Sequence, residues 1–229
     1  MGAASPVGGD LSRPLWWARL PPALVGPRAA YHRVMTSHPP AGHPTGPPAL
    51  VGETHECADC GFSYPARTVE GVLAEIAALS TRVAQAVTAT GPDLLRKRPT
   101  PSTWSVLEYV CHLRDVLATS TIRLYRARTE ARPVVEPMLN DLRARRFRYN
   151  ELDPAAVLAE LAANARGLRD EAGRVAPQGW ERTVVRLPDE ERTARWLLRN
   201  ALHEGIHHLA DIRRAATALT AAEGGSATA

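Results

Sequence analysis

The chain has 229 residues, a formal charge of +4 and 45% hydrophobic residues, enough for one folded domain with a core. Of its 28 basic residues only Lys97 is lysine, and with abundant Ala, Gly and Pro this bias reads as the imprint of a GC-rich coding sequence. The arginines are scattered and aromatics are sparse, so no nucleic-acid partner is expected. No run of about 18 apolar residues is present, which argues against a membrane-spanning helix. Three cysteines do not make a disulfide framework. Arg19 and Pro21-Pro22 interrupt the apolar stretch around Trp16-Trp17, which argues against a secretory signal and for a cytoplasmic location with reduced thiols.

Residues 1–50 hold ten of the nineteen prolines and no periodic pattern, which predicts a disordered arm whose His32, His38 and His43 nothing holds in place. Residues 51–66 form a short knuckle segment around Cys57-Ala58-Asp59-Cys60-Gly61-Phe62. A first helix follows, with Val69, Val72, Leu73, Ile76, Leu79, Val83 and Val87 at spacings of three and four, closed by Gly91-Pro92. Ser102 or Thr103 can cap a second helix that carries Val106, Leu107, Val110, Leu113, Leu117 and Ile122 to about Arg128. Residues 132–153 read as an irregular crossover. Asp153-Pro154 opens a third helix with Val157, Leu158, Leu161, Ala165 and Leu168 as its stripe. Residues 177–188 read as a loop or a short hairpin, and a fourth helix runs from about Glu191 to Ala221. The pattern predicts an all-α four-helix bundle over residues 67–222, with its long crossover between the second and third helices and a disordered tail at 223–229.

The fourth helix carries Leu202-His203-Glu204-Gly205-Ile206-His207-His208-Leu209-Ala210-Asp211. On a helical wheel Leu198, Leu202, Ile206 and Leu209 take one side, and the histidines, Glu204 and Asp211 take the other with Trp196 and Asn200. A cluster of that kind is either a solvated face or a buried polar group satisfied by hydrogen bonds or metal. Two i, i+4 pairs overlap in it: His203 with His207, and Glu204 with His208 about 100° away. The first is the favoured ligand pair, with His208 as the substitute and Asp211 placed to orient His207 from behind. His203-Glu204-x-x-His207 also fits the zinc-peptidase pattern, with Glu204 polarising water, but no sheet or downstream third ligand accompanies it. On the second helix His112 offers a third imidazole, while Glu108, one turn earlier, is placed to act as a base or to orient a ligand. Taken alone, His112 reads as a core histidine; the fourth-helix cluster turns it into a candidate metal ligand.

Cys57-x-x-Cys60-Gly61 has the shape of a zinc knuckle, in which glycine permits a tight turn. Only Cys111 remains, so a site of four cysteines is excluded. The pair completes a zinc site with histidines (His55 or the fourth helix), caps the three-histidine site, or is a redox pair without the strand–helix pattern such pairs accompany. Cys111 reads as a buried structural thiol.

Trp104-Ser105-x-x-Glu108-x-x-x-His112-Leu113-x-Asp115, followed by His203-x-x-x-His207-His208-x-x-Asp211-Ile212, resembles the DinB-like superfamily over roughly residues 67–220. The resemblance implies a four-helix bundle holding a divalent metal, often zinc or nickel, by one histidine of the second helix and two of the fourth. It also implies an enzyme such as a mycothiol- or bacillithiol-dependent S-transferase or an isomerase, in which the metal activates a low-molecular-weight thiol. The Cys57–Phe62 prefix looks like that of one bacterial subgroup. Many members read His-x-x-His-His, and aligning on His207-His208 puts Glu204 where the first histidine stands, which implies His112, Glu204 and His208 as a second possible ligand set. The expected partner is a small-molecule substrate, with a homodimer as the possible assembly. The alternatives are a metal-binding bundle without turnover, acting as a sensor or stress-associated binding protein, and a hydrolase of the zinc-peptidase pattern.

Overall fold

The computed structural model of the chain describes residues 49–226. The expected disordered arm falls outside the described residues up to residue 48, as do residues 227–229 of the expected tail. In chain order come α1 (Val69–Thr90), α2 (Val106–Thr129), α3 (Asn140–Arg146), a 3-10 turn at Tyr149–Glu151, α4 (Pro154–Ala172), a 3-10 turn at Pro177–Glu181, β1 (Thr183–Val185), β2 (Glu191–Thr193) and α5 (Ala194–Ser226). The helices α1, α2, α4 and α5 make a four-helix bundle in which α1 and α2 each pack against both α4 and α5.

Each long helix begins at an oxygen that accepts from its first-turn amides. Thr68 Oγ1 accepts from Gly71 N, Asp153 from Ala156 N with Pro154 at the first position, and Thr193 Oγ1 from Trp196 N. For α2 the cap is Ser105, three residues or fewer beyond the expected Ser102 or Thr103. Ser105 and Glu108 form a reciprocal capping box, while Thr100 hydrogen-bonds to both Ser102 and Thr103 in the preceding turn. The stripe Val72, Ile76, Leu79, Val83 and Val87 of α1 is buried in the core. By length and composition α1 is apolar enough to cross a membrane, and that apolar face is the one buried in the bundle. Ile122 of α2 is exposed, against the expectation that it joins the core. A Cβ at Gly205 would lie 2.5 Å from Leu79 Cδ2, so glycine sets how closely α5 approaches α1.

The segment around Cys57 is a small antiparallel turn docked on α5. Glu56 bridges Ser63, Cys57 N donates to Phe62 O and Gly61 N to Cys57 O, with Gly61 at φ 69°. Phe62 and Tyr64 are buried, and Tyr64 stacks on Trp196 of α5 at 6.0 Å. The hairpin reading of residues 177–188 holds for its first strand, while the second falls on Glu191–Thr193, expected to open the fourth helix: β1 pairs antiparallel with β2, Thr183 opposite Thr193, and α5 starts at Ala194. Arg192 donates to the carbonyls of Leu50 and Val51, so the hairpin also holds the start of the described chain.

The crossover from α2 to α4 is more ordered than its irregular sequence suggests. It contains α3 and the Tyr149–Glu151 turn, each opened by a residue in the left-handed region, Leu139 and Arg148. Asp115 of α2 fastens it. Its carboxylate accepts from Arg143 of α3 at 2.6 Å, from Tyr149 Oη at 2.6 Å and from Arg114 at 2.9 Å. Burial alone would raise the pKa of Asp115; the hydrogen bonds from Tyr149 and Arg143 and the charge of Arg114 outweigh it and hold the carboxyl below its usual range.

Because the folded-state pKa is depressed, this anchor stabilises the protein above the ordinary carboxylate range near 4 and is lost as pH falls through the folded value. Asp115→Asn is therefore expected to lower stability by about 1–3 kcal/mol at pH 7. Denaturant unfolding at a series of pH values should show the gap to wild type closing on the acid side of about 4.

Candidate metal centre

Two helices deliver three donors to one point. His112 Nε2 of α2 lies 3.3 Å from Glu204 Oε2 of α5, and His208 Nε2 lies 3.3 Å from the same oxygen. The two imidazoles meet edge to face at 4.8 Å. The opposite nitrogen of His208, Nδ1, is 2.8 Å from Asp211 Oδ2, and Arg214 holds the other oxygen of Asp211. Trp104 and Tyr109 flank His112 and His208 with ring centroids 5.3 and 5.4 Å away. His112 is buried, and His208 and Glu204 are half-buried.

Without an ion, the cluster supplies its own cation, the His208 imidazolium. Burial opposes a charge on Glu204, yet its hydrogen bonds with His112 and His208 outweigh burial and hold its carboxyl far below the usual range. Burial likewise opposes protonation of His208, but hydrogen bonds with Asp211 and Glu204 and the charge of both carboxylates raise its pKa to about 9. Two donors on a tetrahedral ion at about 2.0–2.1 Å lie roughly 3.3–3.4 Å apart, which the two 3.3 Å separations match. Two neutral imidazoles and a carboxylate therefore fit a divalent metal, with a position left open. Beside them His112 and Glu204 line a cavity of about 310 Å³. Another cavity, about 670 Å³ between α1 and the C-terminal half of α5, is lined by no histidine, cysteine or carboxylate.

The other pair of the fourth-helix cluster faces elsewhere. Cys57, Cys60, His203 and His207 each offer a donor atom within 4.8 Å of the others. Cys57 Sγ is 3.6 Å from His207 Nδ1, and His207 Nε2 is 3.7 Å from Asp211 Oδ2. Burial lowers the pKa of His203 and raises that of Cys60. Among the described residues no charged group lowers that thiol's pKa, which Cys57 and Asp59 raise further, against what a redox pair requires.

The favoured register, His203 and His207 joining His112, is not the one assembled. His203 and His207 turn to the cysteines, and His112 is met by Glu204 and His208, because residues one apart on a helix diverge by about 100°. The zinc-peptidase arrangement falls for the same reason: Glu204 stands among the donors of a different cluster from its two flanking histidines. Glu108 is not available as a base either. Its carboxylate accepts from Ser105 N at 2.9 Å and from Arg98 at 2.8 and 2.6 Å, and it lies outside the converging donors. Cys111 is the structural thiol expected, buried with its pKa pushed up to about 12 and 3.7 Å from Tyr149 O. Unforeseen were Val116, Ser120 and Arg123, which line the cavity with His112, and Arg186 across from them. The signal was present: those residues follow His112 at four, eight and eleven positions, one face of α2. The general arginine bias had masked it.

A family model of the DinB superfamily matches residues 75–212. Among solved structures, the chain is similar to YfiT from Bacillus subtilis, described as a probable metal-dependent hydrolase with an unusual four-helix bundle topology. The TM-score is 0.62 at 21% identity over 68% of this chain and 91% of that one. No curated protein matches.

Since Glu108 serves the cap and not the donors, Glu108→Ala should lower stability by about 1–2 kcal/mol and leave metal content unchanged. Thermal unfolding alongside elemental analysis of the purified variant checks both halves.

Proposed function

The chain belongs to the DinB superfamily, and from that premise we propose that it is a metal-dependent hydrolase of a small anionic molecule, with His112, Glu204 and His208 as the metal ligands. The observation that carries this reading is the convergence of His112 Nε2, Glu204 Oε2 and His208 Nε2 at the edge of a cavity. A divalent ion held there supplies Lewis acidity and makes water a nucleophile near neutral pH. Two histidines and one carboxylate form the donor set of several hydrolytic zinc centres, and the description of YfiT as a probable metal-dependent hydrolase agrees with it. For this reason hydrolysis is placed ahead of the thiol transfer expected from the sequence.

The protein's own groups have separable tasks. Asp211 accepts from His208 Nδ1 and so fixes the tautomer that presents a bare Nε2. Trp104 and Tyr109 pack beside the two imidazoles and limit access of bulk water. Arg123 and Arg186 share the cavity, and their proximity, after burial, lowers the pKa of Arg123. Glu190 pairs with Arg186, whereas Arg123 donates to Glu136 O and makes no ion pair among the described residues. A substrate carboxylate or phosphate is the partner that guanidinium lacks.

The test uses protein with its bound ion, a panel of esters and amides bearing an acidic group, and parallel reactions with a low-molecular-weight thiol. Hydrolysis without thiol is expected, and His112→Ala or His208→Ala should lose the ion and the activity together. Turnover only in the presence of thiol would overturn hydrolysis in favour of transfer, and a bound ion with no turnover would favour a binding protein. Arg123→Ala should raise KM for acidic substrates roughly tenfold or more while leaving their neutral analogues unaffected.

A further inference from the structure

We infer that Cys57, Cys60, His203 and His207 form a second metal site, a closed tetrahedral one for a thiophilic divalent ion such as zinc. It is distinct from the His112 site and does not depend on that reading. The first support is the donor geometry. Zinc bonds of about 2.3 Å to sulfur and about 2.0–2.1 Å to nitrogen put tetrahedral ligand atoms roughly 3.3–3.8 Å apart. Cys57 Sγ and His207 Nδ1 are 3.6 Å apart, and all four donors lie within 4.8 Å of one another. The Cys57–Gly61 turn is of the kind that holds two thiolates on one ion, with Gly61 at φ 69° and its amide donating to Cys57 O at 2.8 Å.

The second support is an orphaned lone pair. Tyr64 Oη donates to Asn200 Oδ1 at 2.9 Å, so its oxygen is left to accept from His203 Nδ1–H at 3.1 Å. That hydrogen bond leaves the lone pair on Nε2, which is buried and has no hydrogen-bond partner. An unsatisfied buried acceptor costs about 1–3 kcal/mol, and a metal bond removes the deficit. His207 is arranged in the complementary way: Nδ1 faces Cys57 while Nε2 faces Asp211. Two thiolates neutralise a divalent ion, so the filled cluster carries no net charge into the apolar setting of Phe62 and Tyr64.

With no open position, the second ion is structural. It clamps the turn of residues 55–64 onto α5, and that turn continues from Leu50 and Val51, which form part of the cavity wall over His112 and Glu204. Asp211 stands between the two centres, hydrogen-bonded to His208 Nδ1 at 2.8 Å and 3.7 Å from His207 Nε2.

The full chain, stripped of metal and titrated with cobalt(II), tests this. About two ions per chain are expected, one of them giving the near-ultraviolet thiolate-to-cobalt charge-transfer absorption. The double variant Cys57→Ser, Cys60→Ser should lose that band and one ion, while His112→Ala keeps the band and loses the other ion. The two sites are thus read separately, and failure of either leaves the other measurable. A wild-type protein that binds cobalt without a thiolate band overturns the second site, and so does a band that survives the double substitution. If the double variant does not fold, the wild-type spectrum decides alone.

Discussion

His203 and Glu204 are neighbours in sequence and diverge by about 100° around α5, and His207 and His208 repeat the divergence one turn later. Two parallel stripes of donors result, one aimed at the Cys57 turn and one at α2. Asp211 falls at roughly 80° from His203 on the same wheel, between the stripes, which is why one carboxylate reaches imidazoles of both. The cysteine turn, the capped start of α2 and the crossover that walls the cavity are all placed with respect to this pair of stripes. The opposite face of α5 carries Leu202, Leu209 and Ile212 into the core, and Gly205 lets Leu79 of α1 come within what would be a clash for any side chain.

Charge explains why the two stripes are kept apart. A carboxylate and two imidazoles leave a positive balance on a divalent ion, suited to polarising something at an open position. Two thiolates and two imidazoles cancel the ion's charge and close its shell. Mixing the sets, with a thiolate in the open centre or Glu204 beside the cysteines, would lose one property or the other. The half-buried Glu204 anion is tolerable without an ion because His208, its pKa raised to about 9, faces the same oxygen as an imidazolium, and a divalent ion takes over that role once the proton leaves.

The bundle was legible in the sequence because its signal is local and repeated: apolar residues every three or four positions, Asp153-Pro154 opening α4, Gly91 closing α1. The chemistry of the site was legible as residue types and as two rival registers, but not as an assignment between them. Which stripe faces α2 depends on how α5 is rotated in the bundle, a property of the whole core that no motif encodes. Glu108 shows the opposite failure. Its spacing from His112 suggested a role at the metal, while its spacing from Ser105 made a capping box, and the local pairing prevailed because both partners lie within one turn. The order in the crossover was hidden for a third reason. It rests on Asp115 receiving Arg143 and Tyr149 from 28 and 34 residues away, with little apolar periodicity of its own.

The segment that precedes α1 is too short to bury a core, yet it supplies half the donors of one cluster and part of the wall beside the other. Its attachment is mostly polar: Arg192 to the carbonyls of Leu50 and Val51, Glu53 to Thr193, Leu50 N to Glu190. Each of these runs to the hairpin or to the start of α5, with none to α2 or α4. Phe62 and Tyr64 add burial, again against α5 through Trp196 and His203. The segment is therefore fastened to α5 and its hairpin, beside the histidines its cysteines face. One helix thus carries histidines for both donor groups, one group completed by the cysteines of the segment and the other by His112 of α2.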